Sequence, residues 1–79
     1  MNEELRNLPV RKLVRALERD GFVYRRLKES QRVYRHADGR RVVVHYHHGG
    51  DTLQIGTLRQ IFEVTRWTEL DLQRLGLIK

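Results

Sequence analysis

The apolar positions first recur at helical spacing. Val10, Leu13, Val14 and Leu17 fall at i, i+3, i+4 and i+7, which puts them on one face and predicts a helix from about Pro9 to Asp20. Pro9 suits the first turn, where its missing N–H has no helical partner, and Gly21 supplies a left-handed stop. The residues before it, Met1 to Leu8, are polar with little periodicity and read as a loose arm. After Gly21 the pattern shifts to strands: Phe22 to Leu27, Arg32 to His36 and Arg41 to Tyr46. Lys28-Glu29-Ser30 forms the first turn, and Asp38-Gly39 marks a hairpin whose type I′ form needs positive φ at both central residues. Val42-Val43-Val44 is an unbroken apolar run, as in a central or well-covered strand. Helical spacing returns at Leu58, Ile61 and Phe62, with Thr57 as the expected N-cap. Thr65-Arg66-Trp67 interrupts it. A short last helix begins at Thr68, whose spacing to Asp71 is that of a capping box, and Gly76 closes it.

The element order is α-β-β-β-α with a small terminal helix. The expected fold class is α+β: a three-stranded antiparallel sheet with helices packed on one face and a short C-terminal helix. That order matches the double-stranded-RNA-binding fold. A chain of 79 residues holds one domain, here taken as 1–79. Phe22, Tyr34, Phe62 and Trp67 are assigned to packing. Tyr24, Tyr34 and Tyr46 sit on successive strands, where an exposed ring can stack a base.

Charge adds a partner. Sixteen Lys and Arg stand against ten Asp and Glu, a formal net charge of +6, and all but three of the sixteen are Arg. Arginine forks onto phosphate in a way lysine does not, so nucleic acid is the first candidate ligand. Arg25, Arg26, Lys28, Arg32, Arg35, Arg40 and Arg41 all fall in the meander and its turns and form the expected RNA-binding set. Arg11, Arg15 and Arg19 make a second basic stripe on the first helix. The chain has no cysteine, which removes disulfides, thiolate zinc sites and thiol nucleophiles. No apolar stretch has the roughly 20 residues of a membrane helix, and the first residues lack a signal-peptide pattern, so a cytoplasmic protein without membrane contact is expected. His45-x-His47-His48 lacks a convincing third ligand, and neither metal nor cofactor is expected.

The sequence resembles the HicA family of toxin ribonucleases. Leu17-Glu18-Arg19-Asp20-Gly21-Phe22 looks like the end of the family's first helix. Tyr34-Arg35-His36-Ala37-Asp38-Gly39-Arg40 looks like its aromatic strand and hairpin. Val42-Val43-Val44 followed by His45-Tyr46-His47 looks like its third strand, and Gly56-Thr57-Leu58-Arg59-Gln60-Ile61 like the opening of its second helix. The resemblance implies a toxin that binds mRNA and cuts it without metal, and whose HicB-like antitoxin covers the active site. It also implies an active site in a Gly-Ser-His triplet before the second strand, which here reads Glu29-Ser30-Gln31. Cleavage by this route needs a base for the ribose 2′-hydroxyl, and a glutamine amide takes up no proton at physiological pH. Glu29 would in addition repel a phosphate. The candidate site is therefore Gln31 and Ser30, with His36 and His47 as histidines able to take over the proton transfer. Three accounts of Gln31 stand at this point: a site reduced to a binding module, a relocated histidine, or a deliberate substitution. Outside the toxin family, the alternative is a non-catalytic module that docks an acidic partner.

Overall fold

The computed structural model describes residues 3–28, 31–45 and 51–79, without the side chains of 26–28. Expectations on Glu29, Ser30, Tyr46, His47 and His48 lie outside the described residues. In chain order the elements are a 3-10 turn at Glu3–Leu5, β1 (Leu8–Pro9), α1 (Val10–Arg19), β2 (Val23–Lys28), β3 (Gln31–Arg35), β4 (Arg41–His45), β5 (Thr52–Leu53), α2 (Ile55–Thr65) and α3 (Glu69–Arg74). The expected α+β meander is present as an antiparallel sheet ordered β2-β3-β4. No helix of the described residues is long and apolar enough to cross a membrane.

Helix α1 buries Val10, Leu13, Val14, Ala16 and Leu17 against the sheet's inner face, where Tyr34, Val42 and Val44 are also buried. Leu58 and Ile61 of α2 complete the layer, and Leu72, Leu75, Leu77 and Ile78 close the end of the core. Truncating a residue as enclosed as Leu17 to alanine would cost about 2–5 kcal/mol. Both α1 and α3 end in the same device. The Gly21 N–H donates to the Glu18 carbonyl (3.1 Å) and the Phe22 N–H to the Leu17 carbonyl (2.9 Å). The Gly76 and Leu77 N–H groups repeat this on Gln73 and Leu72 (3.1 and 2.9 Å). Both glycines have positive φ, +98° and +81°, as this Schellman geometry requires. At the other end of α3, Thr68 and Asp71 form the expected reciprocal capping box.

Four expectations need correction. The N-terminal arm is not loose: Leu5 and Leu8 are only 2 % exposed, and β1 pairs antiparallel with β5, Leu8 opposite Leu53. Two apolar anchors hold a segment whose polar residues gave no periodicity. Thr57 is not the N-cap of α2. The helix begins at Ile55 with Gln54 as N-cap, because β5 delivers the chain directly into the helix. The Asp38-Gly39 hairpin is not type I′, since Gly39 has φ +101° and Asp38 is not among the positive-φ residues. The Gly39 N–H donates to the His36 carbonyl (3.0 Å) and the His36 N–H to the Arg40 carbonyl (2.9 Å), a three-residue loop closed by a left-handed glycine. Finally, Val42-Val43-Val44 lies on edge strand β4 with alternating burial, and Val43 is 38 % exposed. The central strand is β3.

Gly21 also makes a close approach. A Cβ there would meet His36 Nε2 at 3.0 Å, whereas one at Gly39 would meet nothing within 4 Å. Gly21→Ala is expected to cost about 1–2 kcal/mol from backbone strain alone, plus the displacement of His36. Gly39→Ala carries only the backbone part. Denaturant midpoints of the two variants, with equal slopes, separate the contributions.

Candidate nucleic-acid interface

Strand alternation divides the sheet into two faces. Because Tyr34, Val42 and Val44 point into the core, their neighbours point outward. The register places Gln31 opposite His45, Val33 opposite Val43 and Arg35 opposite Arg41. On the other side of β3, Arg25 opposes Val33 and Val23 opposes Arg35. The outer face thus carries a valine band flanked by Arg25, Arg35 and Arg41, all three exposed. Val23 and Val43 are exposed as well (52 % and 38 %), while Val33 at the centre of the band is buried apart from the main core.

The structure gathers some of the expected residues here and draws others away. Gln31 is the first residue of β3 and is half-buried. Arg26 and Lys28 pair through their backbones with Arg32 and Gln31, across an irregularity in β2; their side chains lie outside the described residues. Arg32 belongs to the inner-face register. Its guanidinium carbon sits 5.0 Å above the Tyr24 ring, and Nη1 is 3.4 Å from the Tyr34 hydroxyl.

Arg40 and His36 are engaged in a network centred on Asp20. The Asp20 carboxylate accepts from the Trp67 indole N–H at 2.9 Å and pairs with Arg74 at 3.0 Å and Arg40 at 3.2 Å. Burial pushes the Asp20 carboxyl up; the Trp67, Arg74 and Arg40 donors outweigh it and hold the group below the usual carboxylate range. Arg40 also grips Asp38 (Nε to Oδ2, 2.8 Å), donates to the Thr65 carbonyl and lies over the Phe22 ring. His36 Nε2 is 2.7 Å from the Asp20 carbonyl oxygen, which only accepts, so Nε2 carries the proton. Nδ1 then accepts from the Asp38 N–H at 3.1 Å. Both ring nitrogens are occupied, and the ring packs edge-on against Phe22 with centroids 5.1 Å apart. The network ties the hairpin to the end of α1 and to α3. His36, Asp38 and Arg40 are close in sequence, but Asp20, Trp67 and Arg74 are not, so no local pattern announces the network as a whole.

Two hollows border the outer face. Arg35, Arg40 and Arg41, with His36 and Gly39, frame one of about 300 Å³ at the base of the hairpin. The other, about 510 Å³, lies between β4 and the start of α2. It is lined by His45, Val43 and Asp51 and by Gln54 and Thr57 at the start of α2. The expected histidines were His36 and His47; the register brings His45 opposite Gln31. No local signal gave it: a two-residue Asp38-Gly39 turn would pair Gln31 with position 46, and only the three-residue loop pairs it with His45. The Arg35–Arg41 hollow suits a phosphate, and the second brings an imidazole beside polar groups at the opening of a helix.

No curated protein gives a significant match to the sequence. The family model described as the HicA toxin of bacterial toxin–antitoxin systems matches residues 10–69.

Proposed function

The chain belongs to the HicA toxin family of bacterial toxin–antitoxin systems, and on that premise we propose that it binds mRNA across the outer face of its sheet and cuts it there without metal. A HicB-like antitoxin would restrain it by covering the same face. The observation that carries this reading is the gathering of exposed Arg25, Arg35 and Arg41 on one face with Gln31. Arginines spread over the three strands of one face, Arg25 on β2, Arg35 on β3 and Arg41 on β4, fit the repeating phosphates of a single strand. The Arg35–Arg40–Arg41 hollow is the anchoring point at one end. Gln31 lies at the other, in the position of the family's histidine, where its amide N–H groups can donate to a phosphate oxygen but cannot accept the 2′-hydroxyl proton. The exposed valines between the arginines serve the antitoxin. A partner with acidic residues around an apolar patch would match this face. In this reading His36 is a structural residue, since its nitrogens are used within the fold.

The test is binding of a labelled single-stranded mRNA fragment in EDTA, with the cognate antitoxin as competitor. Salt-sensitive binding, cleavage of the fragment and displacement by the antitoxin are expected. A protein that binds the antitoxin but no RNA at low salt would replace this reading with that of a protein-docking module.

A further inference from the structure

Gln31 cannot perform the proton transfer, because its amide takes up no proton at physiological pH. We infer that His45, the cross-strand partner of Gln31, is the general base of RNA cleavage in this protein. The inference rests on the proposed RNA-cleaving function and adds a residue to it.

The geometry is that of one antiparallel pair. Gln31 and His45 are register partners at the end of the sheet away from the hairpin. Residues opposite one another on the same face have Cβ atoms roughly 4.5–5.5 Å apart. A phosphodiester held by the Gln31 amide is therefore within reach of the His45 imidazole. His45 is exposed, and no described contact occupies its ring. His36 differs on both counts, being half-buried with both nitrogens engaged. Among the described residues, the groups around His45 are Gln31 on β3, Val43 on its own strand, and Asp51, Gln54 and Thr57 across the cleft at the β4 edge. Asp51 is the acid of that set; its backbone carbonyl accepts from the Val10 N–H at 2.7 Å. Arg35 and Arg41 stand four residues along the same strands, where they hold the neighbouring phosphates.

In the step itself, a neutral His45 ring nitrogen takes the proton from the ribose 2′-hydroxyl. The 2′-oxygen forms a bond to phosphorus as the bond from phosphorus to the 5′-oxygen breaks. A solvent water protonates the departing 5′-oxygen, and the resulting hydroxide takes the proton back from the His45 imidazolium. The products are a 2′,3′-cyclic phosphate and a 5′-hydroxyl, and neither water nor metal is consumed. Gln31 orients the phosphate by donating to a non-bridging oxygen. Imidazole suits the transfer because it titrates close to the working pH.

Four proteins decide the matter: the parent, His45→Gln, Gln31→His and the double variant His45→Gln/Gln31→His. Cleavage is measured in EDTA across neutral pH, and affinity on an RNA blocked at the 2′-oxygens. The parent is expected to cut, with a rate that rises with pH and then levels. His45→Gln should keep the parent's affinity and thermal midpoint, lose cleavage by about 10²- to 10⁴-fold and lose the rising limb. The double variant should regain both, because the imidazole returns on the opposite strand of the same pair. The inference is overturned if His45→Gln cuts like the parent with the same pH profile. It is equally overturned if the parent binds RNA without cutting while Gln31→His cuts, since the base would then be missing altogether. A parent that binds no RNA sinks the proposed function itself, a result distinct from either.

Discussion

Replacing Asp20 with alanine lowers the stability of the fold by about 3–5 kcal/mol, the usual consequence of removing one partner from a buried charge network. A chain of this length has on the order of 4–12 kcal/mol in total, so the variant should be largely unfolded well below the parent's thermal midpoint. The size of the effect follows from what Asp20 holds. Its side chain is 12 % exposed, that of Arg40 is 22 % exposed, and Trp67 is a core residue whose indole N–H has the carboxylate as its acceptor. Alanine removes one partner of the half-buried Arg40 guanidinium, which keeps Asp38 and the Thr65 carbonyl, and leaves the Trp67 N–H without its acceptor. Trp67→Phe is the milder companion: it removes the donor, keeps most of the apolar surface and leaves the Asp20–Arg40 pair intact. Chemical denaturation of the two variants ranks them, and a loss for Asp20→Ala no larger than that for Trp67→Phe would refute the network as an anchor.

Acid acts on the same group. In the folded protein the Asp20 carboxyl lies below its ordinary range despite burial, because Trp67, Arg74 and Arg40 stabilise the anion. A carboxyl lowered on folding contributes stability that is complete above its unfolded pKa, about 3.9, and is lost as pH falls from there toward the folded value. Asp71, held down by the Thr68 backbone N–H, and Asp38, where the Arg40 donors outweigh desolvation, act in the same direction. Unfolding should set in below about pH 4. In Asp20→Ala the dependence on acid should be shallower.

Removing Arg35 and Arg41 together has the largest expected effect on RNA affinity. Both are exposed register partners on the outer face, and both frame the hollow at the hairpin base. If each meets a phosphate, the double alanine variant weakens binding by on the order of 10- to 100-fold at low salt. The slope of log affinity against log salt should become shallower by about 1.4, since each contact to a single strand contributes about 0.7. Its thermal midpoint should match the parent's. Arg40→Ala should behave in the opposite way, losing stability because its guanidinium serves Asp20, Asp38 and Thr65. An unchanged salt slope in the Arg35/Arg41 variant would move the RNA elsewhere, with the exposed Arg11 and Arg15 of α1 as the next surface.

The elements with local signals were legible in the sequence. The i, i+3, i+4, i+7 face of α1, the glycine stops at Gly21 and Gly76, the Asp38-Gly39 hairpin and the Thr68–Asp71 cap each depend on residues a few positions apart. The β1–β5 pair was not, because two-residue strands joining Leu8 to Leu53 have no period to detect. The edge position of β4 was hidden for a related reason: three consecutive valines say that a strand is apolar, not how many neighbours it has. In the candidate site, alternation and a basic composition pointed to the sheet as a whole. They did not separate Arg35 and Arg41, which face outward, from Arg32 and Arg40, whose partners Tyr24 and Asp20 are fixed only by the tertiary fold. His45 was hidden by the turn: a two-residue Asp38-Gly39 turn pairs Gln31 with position 46, and only the three-residue loop brings His45 opposite it.

The central claim, that RNA lies on the outer face of the sheet, is tested most directly by amide and side-chain NMR shifts during titration with a short single-stranded RNA. The expected result is a contiguous set of perturbations at Arg25, Gln31, Arg35, Arg41, Val43 and His45, with α1 and α3 unmoved. Shifts confined to Arg11, Arg15 and their neighbours on α1, or no shifts at low salt, would contradict it.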